Sequence, residues 1–353
     1  MKKLVFASIM ILFVLTGCQN DEEQTVDLNP DEAKEMVDGT SASLSNDIVS
    51  LVESDGVNEL MHLAQLLDDY ALIGGRTSQK AWTKERLKII SQYFVAGPSA
   101  RVGANNPTTF EDIKGLYTWN FELQEFDVEE SDFFIVLFPT DGSNTNNVEF
   151  KISNLEFETI TEVWEDIVDE YEVPSLIEAH LKVDDITIVE LSYNVKWTND
   201  GTPEEADVSL FIDPFSFVID FKDTFVKSTS LLASVSMSDE LIASIDVDVS
   251  YETESKDDVN FVEGNVQYRG LKIEGNVDVR EIGEDGNPND FINLTLYSDG
   301  SKVGDIVFVL EEDTDGFQDY VPYVQYADGS QENLEDILAP VLAEIDAIFA
   351  EFE

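Results

Sequence analysis

Val189-Glu190-Leu191-Ser192-Tyr193-Asn194-Val195-Lys196-Trp197 alternates apolar and polar side chains without a break. A β-strand turns successive side chains to opposite faces, so this run puts Val189, Leu191, Tyr193, Val195 and Trp197 on one face and polar groups on the other. One face of the strand is therefore expected against a core and the other in water. Tyr117, Trp119, Phe121 and Leu123 follow the same rule, as do Phe215, Phe217, Ile219 and Phe221, and Ile245, Val247, Val249 and Tyr251.

Between such runs lie Asp141-Gly142, Asn199-Asp200-Gly201, Asp299-Gly300 and Asp315-Gly316, dipeptides that accept the positive φ of tight hairpin turns. Segments of crossover-helix length are missing between most runs, which argues for antiparallel neighbours and against βαβ units. Glu263-Gly264-Asn265-Val266 recurs as Glu274-Gly275-Asn276-Val277 around Gly270, which reads as two legs of one hairpin. Phe133–Phe138 and Ile306–Leu310 are apolar at every position and are expected to be covered on both faces.

Helices flank the strands. Asn29 precedes Pro30-Asp31-Glu32, a capped helix start; Leu44, Ile48, Leu51 and Val52 share one helical face. After a break at Asp55-Gly56, so do Val57, Leu60, Met61, Ala64, Leu67 and Ala71, and Gly74-Gly75 ends that helix. A further helix is expected from Thr83 to Val95, and another over 159–171, where Ile160, Val163, Trp164, Ile167, Val168 and Tyr171 precede Pro174. Ser330 is placed to cap a C-terminal helix with the stripe Leu334, Ile337, Leu338, Val341, Leu342, Ile345, Ile348, Phe349 and Phe352, kinked at Pro340.

The expected class is α+β: N-terminal helices, a large antiparallel β-meander over about 110–328, and a C-terminal helix packed on the sheet. In this predicted architecture alone the chain resembles the incomplete barrels of lipoprotein carriers. The organisation reads as a leader over 1–17, an acidic tether over 18–30, a helical region over 31–104 and the β domain over 105–353.

The leader has its own signature. Lys2 and Lys3 precede an apolar run from Leu4 to Leu15, the length of a signal-peptide core and too short for a bilayer crossing of roughly 20 residues. Leu15-Thr16-Gly17-Cys18 then resembles the lipobox of bacterial lipoproteins. That resemblance implies cleavage before Cys18, diacylglycerol on its thiol and acylation of the new amine. Gln19-Asn20-Asp21-Glu22-Glu23-Gln24 resembles the acidic tether of surface-exported lipoproteins of the Bacteroidota. Both imply an outer-membrane lipid anchor with the domain exposed at the cell surface, the alternative being a periplasm-facing one. Each buried CH2 of an acyl chain contributes about 0.8 kcal/mol, so several chains anchor firmly.

The chain carries 20 Lys and Arg against 74 Asp and Glu, a formal net charge of −54. Loss of Lys2 and Lys3 with the leader makes it two units more negative. Such a field repels nucleic acid and anionic headgroups. The acids are spread along the chain, which favours a saline habitat over recruitment of divalent cations or a basic partner. Arg76, Lys80, Lys84, Arg86 and Lys88 reverse the charge locally, as a dock for an anionic partner or as a contact with the chain's own acidic domain. Cys18 is the only cysteine, which excludes intrachain disulfides.

Motifs of catalysis are scarce. The two histidines, His62 and His180, have no serine motif beside them and are read as structural; Gly-x-Ser-x-Gly, His-Glu-x-x-His, phosphate-cradling loops and zinc-type spacings are missing. Asp313, Asp315 and Asp319 around Gly316 place oxygens as a calcium turn does, without the remaining acidic positions of an EF-hand loop; the alternative is a solvated hairpin turn. No other cofactor is expected. Tyr117, Trp119, Phe121, Tyr193 and Trp197 are the candidate binding residues, lining a concavity for an apolar molecule or a polysaccharide. The leading expectation is a non-catalytic envelope lipoprotein that binds a ligand or partner. A surface glycan hydrolase using a carboxylate pair, and a purely structural surface protein, stay open beside it.

Overall fold

A computed structural model describes residues 30–32, 35, 43, 46–47, 49–72, 110–164, 167–223, 227–253, 256, 258–281, 286–312, 318–339 and 343. The leader, the tether, the Thr83–Val95 helix, all five residues of the basic patch and Pro340 lie outside them.

The protein is mostly sheet. Sixteen strands run in the order β16 back to β3, then β1 and β2, and the sheet does not close on itself. The strands are β1 (Gly115–Asn120), β2 (Glu125–Glu129), β3 (Phe134–Phe138), β4 (Val148–Trp164), β5 (Ile167–Val183), β6 (Ile186–Trp197), β7 (Pro203–Ile212), β8 (Phe215–Asp223), β9 (Ser228–Met237), β10 (Glu240–Tyr251), β11 (Val259–Tyr268), β12 (Leu271–Asp278), β13 (Ile292–Ser298), β14 (Ser301–Glu312), β15 (Gln318–Gln325) and β16 (Gln331–Asn333). Alternation sets each strand and turn chemistry each reversal, so the expected meander forms from β3 onward. The exception is β1, which pairs parallel with β3. Among the described residues, 30–32, 46–47 and 49–52 are helical, and α1 (Asp55–Leu72) and α2 (Phe110–Ile113) follow before the strands; residues 334–339 form α3 after β16.

The chain divides into two compact units, Leu51–Ile219 and the pairing of Met1–Ser50 with Asp220–Glu353. In the first, Ser54 caps α1: its Oγ accepts from Val57 N–H at 3.3 Å and its carbonyl from Asn58 N–H at 3.0 Å. Gly56 lets the first turn sit on the sheet, since a Cβ there would lie 2.7 Å from Ile212 Cγ2 and 3.0 Å from the Ile188 carbonyl. Leu63 enters the core formed by Tyr117, Phe134, Phe138, Phe150 and Leu181. Each fully buried aromatic of this kind stabilises by about 1.5–3 kcal/mol.

In the second unit the registers align one apolar face strand by strand: Val249, Val262, Val277 and Ile292 in one row, Ile245, Val266, Ile273 and Leu296 in another. Leu334 and Ile337 of α3 pack on Leu294, Leu296, Ile306 and Val324. The opposite face carries Asp246, Asn265, Glu274 and Thr295 in register, the wet side that alternation requires.

Four local expectations are corrected. Residues 159–171 are not helical: Val163 pairs with Val168 and Trp164 with Ile167 across a hairpin between β4 and β5. Thr159, Ile160, Thr161, Val163, Ile167 and Val168 are β-branched, and the chain reversal makes two short alternations read as one helical stripe. Ser330 does not cap α3. It belongs to the Asp328-Gly329 turn, and Asn333 Oδ1 accepts from Glu335 N–H at 2.8 Å instead. Phe121 and Leu123 leave the strand, because Asn120 Oδ1 accepts from both Glu122 and Leu123 N–H and starts a turn. The fully apolar runs are not covered throughout: Phe133 is 38% and Leu310 49% exposed at their ends.

Candidate functional site

The expected aromatic concavity is not assembled as one site. Tyr117 is wholly buried against Phe134, and Trp119 packs edge-on to Phe126, so both belong to the core. Phe121 sits in the exposed turn after β1. Tyr193 and Trp197 lie on β6, four strand spacings from β1, roughly 19 Å along the sheet. Trp197 Nε1 donates to the Pro174 carbonyl at 2.9 Å, which ties the indole to a bulge in β5. Burial pushes the Tyr193 phenol up to about 12, and its hydroxyl has no hydrogen-bond partner. Of the calcium turn, Asp313 and Asp315 fall outside the described residues, while Asp319 is exposed on β15 opposite Glu311. Cys18 also falls outside.

An open cleft of about 520 Å³ lies instead at the ends of three hairpins in the second unit, lined by Glu240, Leu241, Gln267, Arg269, Gly270, Lys272, Tyr297, Asp299 and Gly300. A meander brings every second turn to the same sheet end, and the turns here are Ser238-Asp239, Arg269-Gly270 and Asp299-Gly300. Asp299 and Gly300 have φ of 48° and 77°, the geometry a primed hairpin turn demands. Gly270 is needed for close approach, because a Cβ there would run into the Asp299 carboxylate.

Side chains in the cleft are ordered by register. Gln267 faces Lys272 across β11 and β12, and Lys272 faces Tyr297 across β12 and β13, giving a row on the polar face. Lys272 Nζ stands 5.1 Å from the Tyr297 ring centroid and 2.5 Å from Glu274 Oε2. Partial burial, then the Glu274 charge, holds the Tyr297 phenol above its usual range. Gln267 Nε2 donates to the Arg269 carbonyl at 2.7 Å.

Arg269 forms the wall. Its Nη1 donates to Glu240 Oε1 at 2.8 Å, while Nε and Nη2 both donate to Asp47, which is 8% exposed. Hydrogen bonding to Asp47 foremost raises its already high pKa. The guanidinium is thus matched by two carboxylates, and the cleft offers planar polar groups and an aromatic ring without a large net charge. Among the described lining residues Glu240 and Asp299 are the carboxylates, beside the hydrogen-bonding Gln267, Arg269, Lys272 and Tyr297.

No family model matches the chain, and no curated protein or solved structure matches it either.

Single-strand patterns show that Tyr297 and Lys272 lie on a sheet, but not that Arg269, Asp47 and Glu240 meet there. The sequence signals that point to this place are two turns, Gly270 between the two Glu-Gly-Asn-Val legs and Asp299-Gly300.

Proposed function

We propose that the protein is a non-catalytic, lipid-anchored module of the bacterial cell envelope that binds a neutral polyhydroxylated ligand, a glycan chain, in the hairpin cleft. The observation that supports this reading is the row Gln267, Lys272 and Tyr297 beside Arg269 and Glu240. Sugars are recognised by fixed planar donors and acceptors around an aromatic ring, and this row supplies both. An apolar ligand fits less well, since Leu241 is the one aliphatic side chain in the lining. An anionic ligand is opposed by the net charge of −54 and by the carboxylate partners of Arg269 and Lys272. The lipobox and acidic tether place such a module at the outer membrane, facing the exterior, where glycans are available.

The test is a glycan-array screen of the detergent-solubilised lipoprotein followed by titration of any hit against Tyr297→Ala and Gln267→Ala. Binding lost in both variants supports the reading. Binding unaffected by either, or no glycan bound at all, overturns it. Release of reducing sugar that disappears in Glu240→Gln or Asp299→Asn would instead make the protein a hydrolase.

A further inference from the structure

At the α1 side of the first unit, Glu59 Oε2, His62 Nε2 and Asn146 Oδ1 are buried polar atoms with no hydrogen-bond partner. Glu59 and His62 are three residues apart on α1, so they lie on one helical face with Cβ atoms about 5–6 Å apart. His62 stacks on Phe138 at the end of β3, with ring centroids 6.1 Å apart and an interplanar angle of 14°. Asn146 belongs to the loop that leaves that end. Its Nδ2 donates to the Trp119 carbonyl at 2.8 Å, and Trp119 follows in register beside Phe138, since Thr118 pairs with Leu137. That bond assigns the other amide atom as a free oxygen. The loop is fixed in turn: Thr140 N–H donates to Asn147 Oδ1 at 3.0 Å, and Asp184 N–H donates to the Asn147 carbonyl at 2.9 Å.

The unpartnered atoms share one character: a carboxylate oxygen, an amide oxygen and an imidazole nitrogen, all able to offer a lone pair. A buried polar atom left without a partner is costly. Burial foremost pushes the Glu59 carboxyl up, and the nearby charges of Asp55 and Asp141 push in the same direction, opposed by His62. The neighbourhood thus has lone pairs and, in Asp55 and Asp141, negative charge to match a cation. Glu-x-x-His on one helix is a spacing that presents a carboxylate and an imidazole to a single ion.

We propose that Glu59 and His62 hold a divalent transition-metal ion against the 139–147 loop, with Asn146 Oδ1 and water completing its shell. Imidazole nitrogen with carboxylate oxygen suits zinc better than calcium or magnesium. Among the described residues no three His, Cys, Asp or Glu side chains converge on one point, so the side chain of Asn146 and solvent must supply the rest of the shell. The ion would tie α1 to the loop after β3.

The test is calorimetric titration of the full-length protein with Zn2+ in millimolar Mg2+, which occupies the acidic surface. One zinc equivalent is expected, and His62→Ala and Glu59→Gln should each weaken it at least about tenfold. A second measurement needs no variant: Co2+ should shift the His62 imidazole resonances and leave those of His180 in place. Equal zinc affinity in the wild type and both variants, or unmoved His62 resonances, would overturn the site.

Discussion

Arg269 and Asp47 lie 222 positions apart and close a two-point ion pair, Nε to Oδ2 at 2.9 Å and Nη2 to Oδ1 at 2.5 Å. The Tyr268 hydroxyl donates to the same Asp47 Oδ2 at 3.1 Å. A short N-terminal helical stretch is thereby fastened to the turn that forms one wall of the cleft.

Breaking a mostly buried pair from one side leaves Asp47 without its guanidinium, or Arg269 with the mostly exposed Glu240 as its carboxylate. Asp47→Asn should therefore cost roughly 2–4 kcal/mol in urea unfolding, and Arg269→Gln a similar amount. In the double variant the losses should fall short of additive by about 1 kcal/mol or more. Strict additivity would mean that the pair contributes no coupling. Both variants should also disturb ligand binding in the cleft, because the pair fixes the turn whose Arg269 backbone carbonyl accepts from Gln267.

Gly56→Ala sets helix propensity against packing. Alanine is favoured over glycine by about 1 kcal/mol in a helix interior. The added methyl group would, however, press on Ile212 and on the Ile188 carbonyl. Overpacking of this kind costs about 1–3 kcal/mol, so the variant should be less stable by thermal unfolding. A higher melting temperature would show that α1 does not sit on the β6–β7 hairpin.

Tyr193→Phe removes a buried hydroxyl that has no partner, and should leave stability unchanged or raise it by about 1 kcal/mol. The pH dependence has a definite sign. Burial raises the phenol to about 12, above its ordinary value of 10, so folding favours the protonated form. The associated stability is fully present below pH 10 and is lost as pH rises toward 12. Urea midpoints measured across that window should fall in the wild type, and the part of the fall due to this group should vanish in Tyr193→Phe.

How far the sequence speaks for the structure depends on range. Period-two alternation located β6, β8 and β10, with one drier and one wetter face in β6 and β10, although Ile219 on the apolar side of β8 is 42% exposed. The duplicate Glu-Gly-Asn-Val segments were legible as a hairpin, and Gly264 does face Gly275. The β4–β5 hairpin was not, since the spacing of Ile160, Val163, Trp164, Ile167 and Val168 satisfies a helix when the reversal between them is unseen. Nor could the pattern separate degrees of burial among aromatics: Tyr117 and Tyr193 both alternate correctly, yet the first is wholly buried and the second only partly so. The cleft and the Glu59, His62 and Asn146 cluster depend on pairings between distant segments, which local periodicity does not encode.

Cys18 carries the inference about location. The chain has one thiol, preceded by Leu15-Thr16-Gly17, and a domain whose negative charge opposes close contact with anionic headgroups. Nothing in that charge would hold the domain at a membrane, so under the proposed reading the acyl chains alone would do so. Cys18→Ser should therefore move the protein from the membrane pellet to the soluble fraction, and metabolic labelling with a palmitate analogue should mark the wild type alone. Extraction at high salt separates this from electrostatic adhesion, which weakens as ionic strength rises, whereas acyl insertion does not. A Cys18→Ser variant that stays in the pellet after a high-salt wash would refute the lipid anchor, and with it the outer-membrane setting in which a glycan ligand is expected.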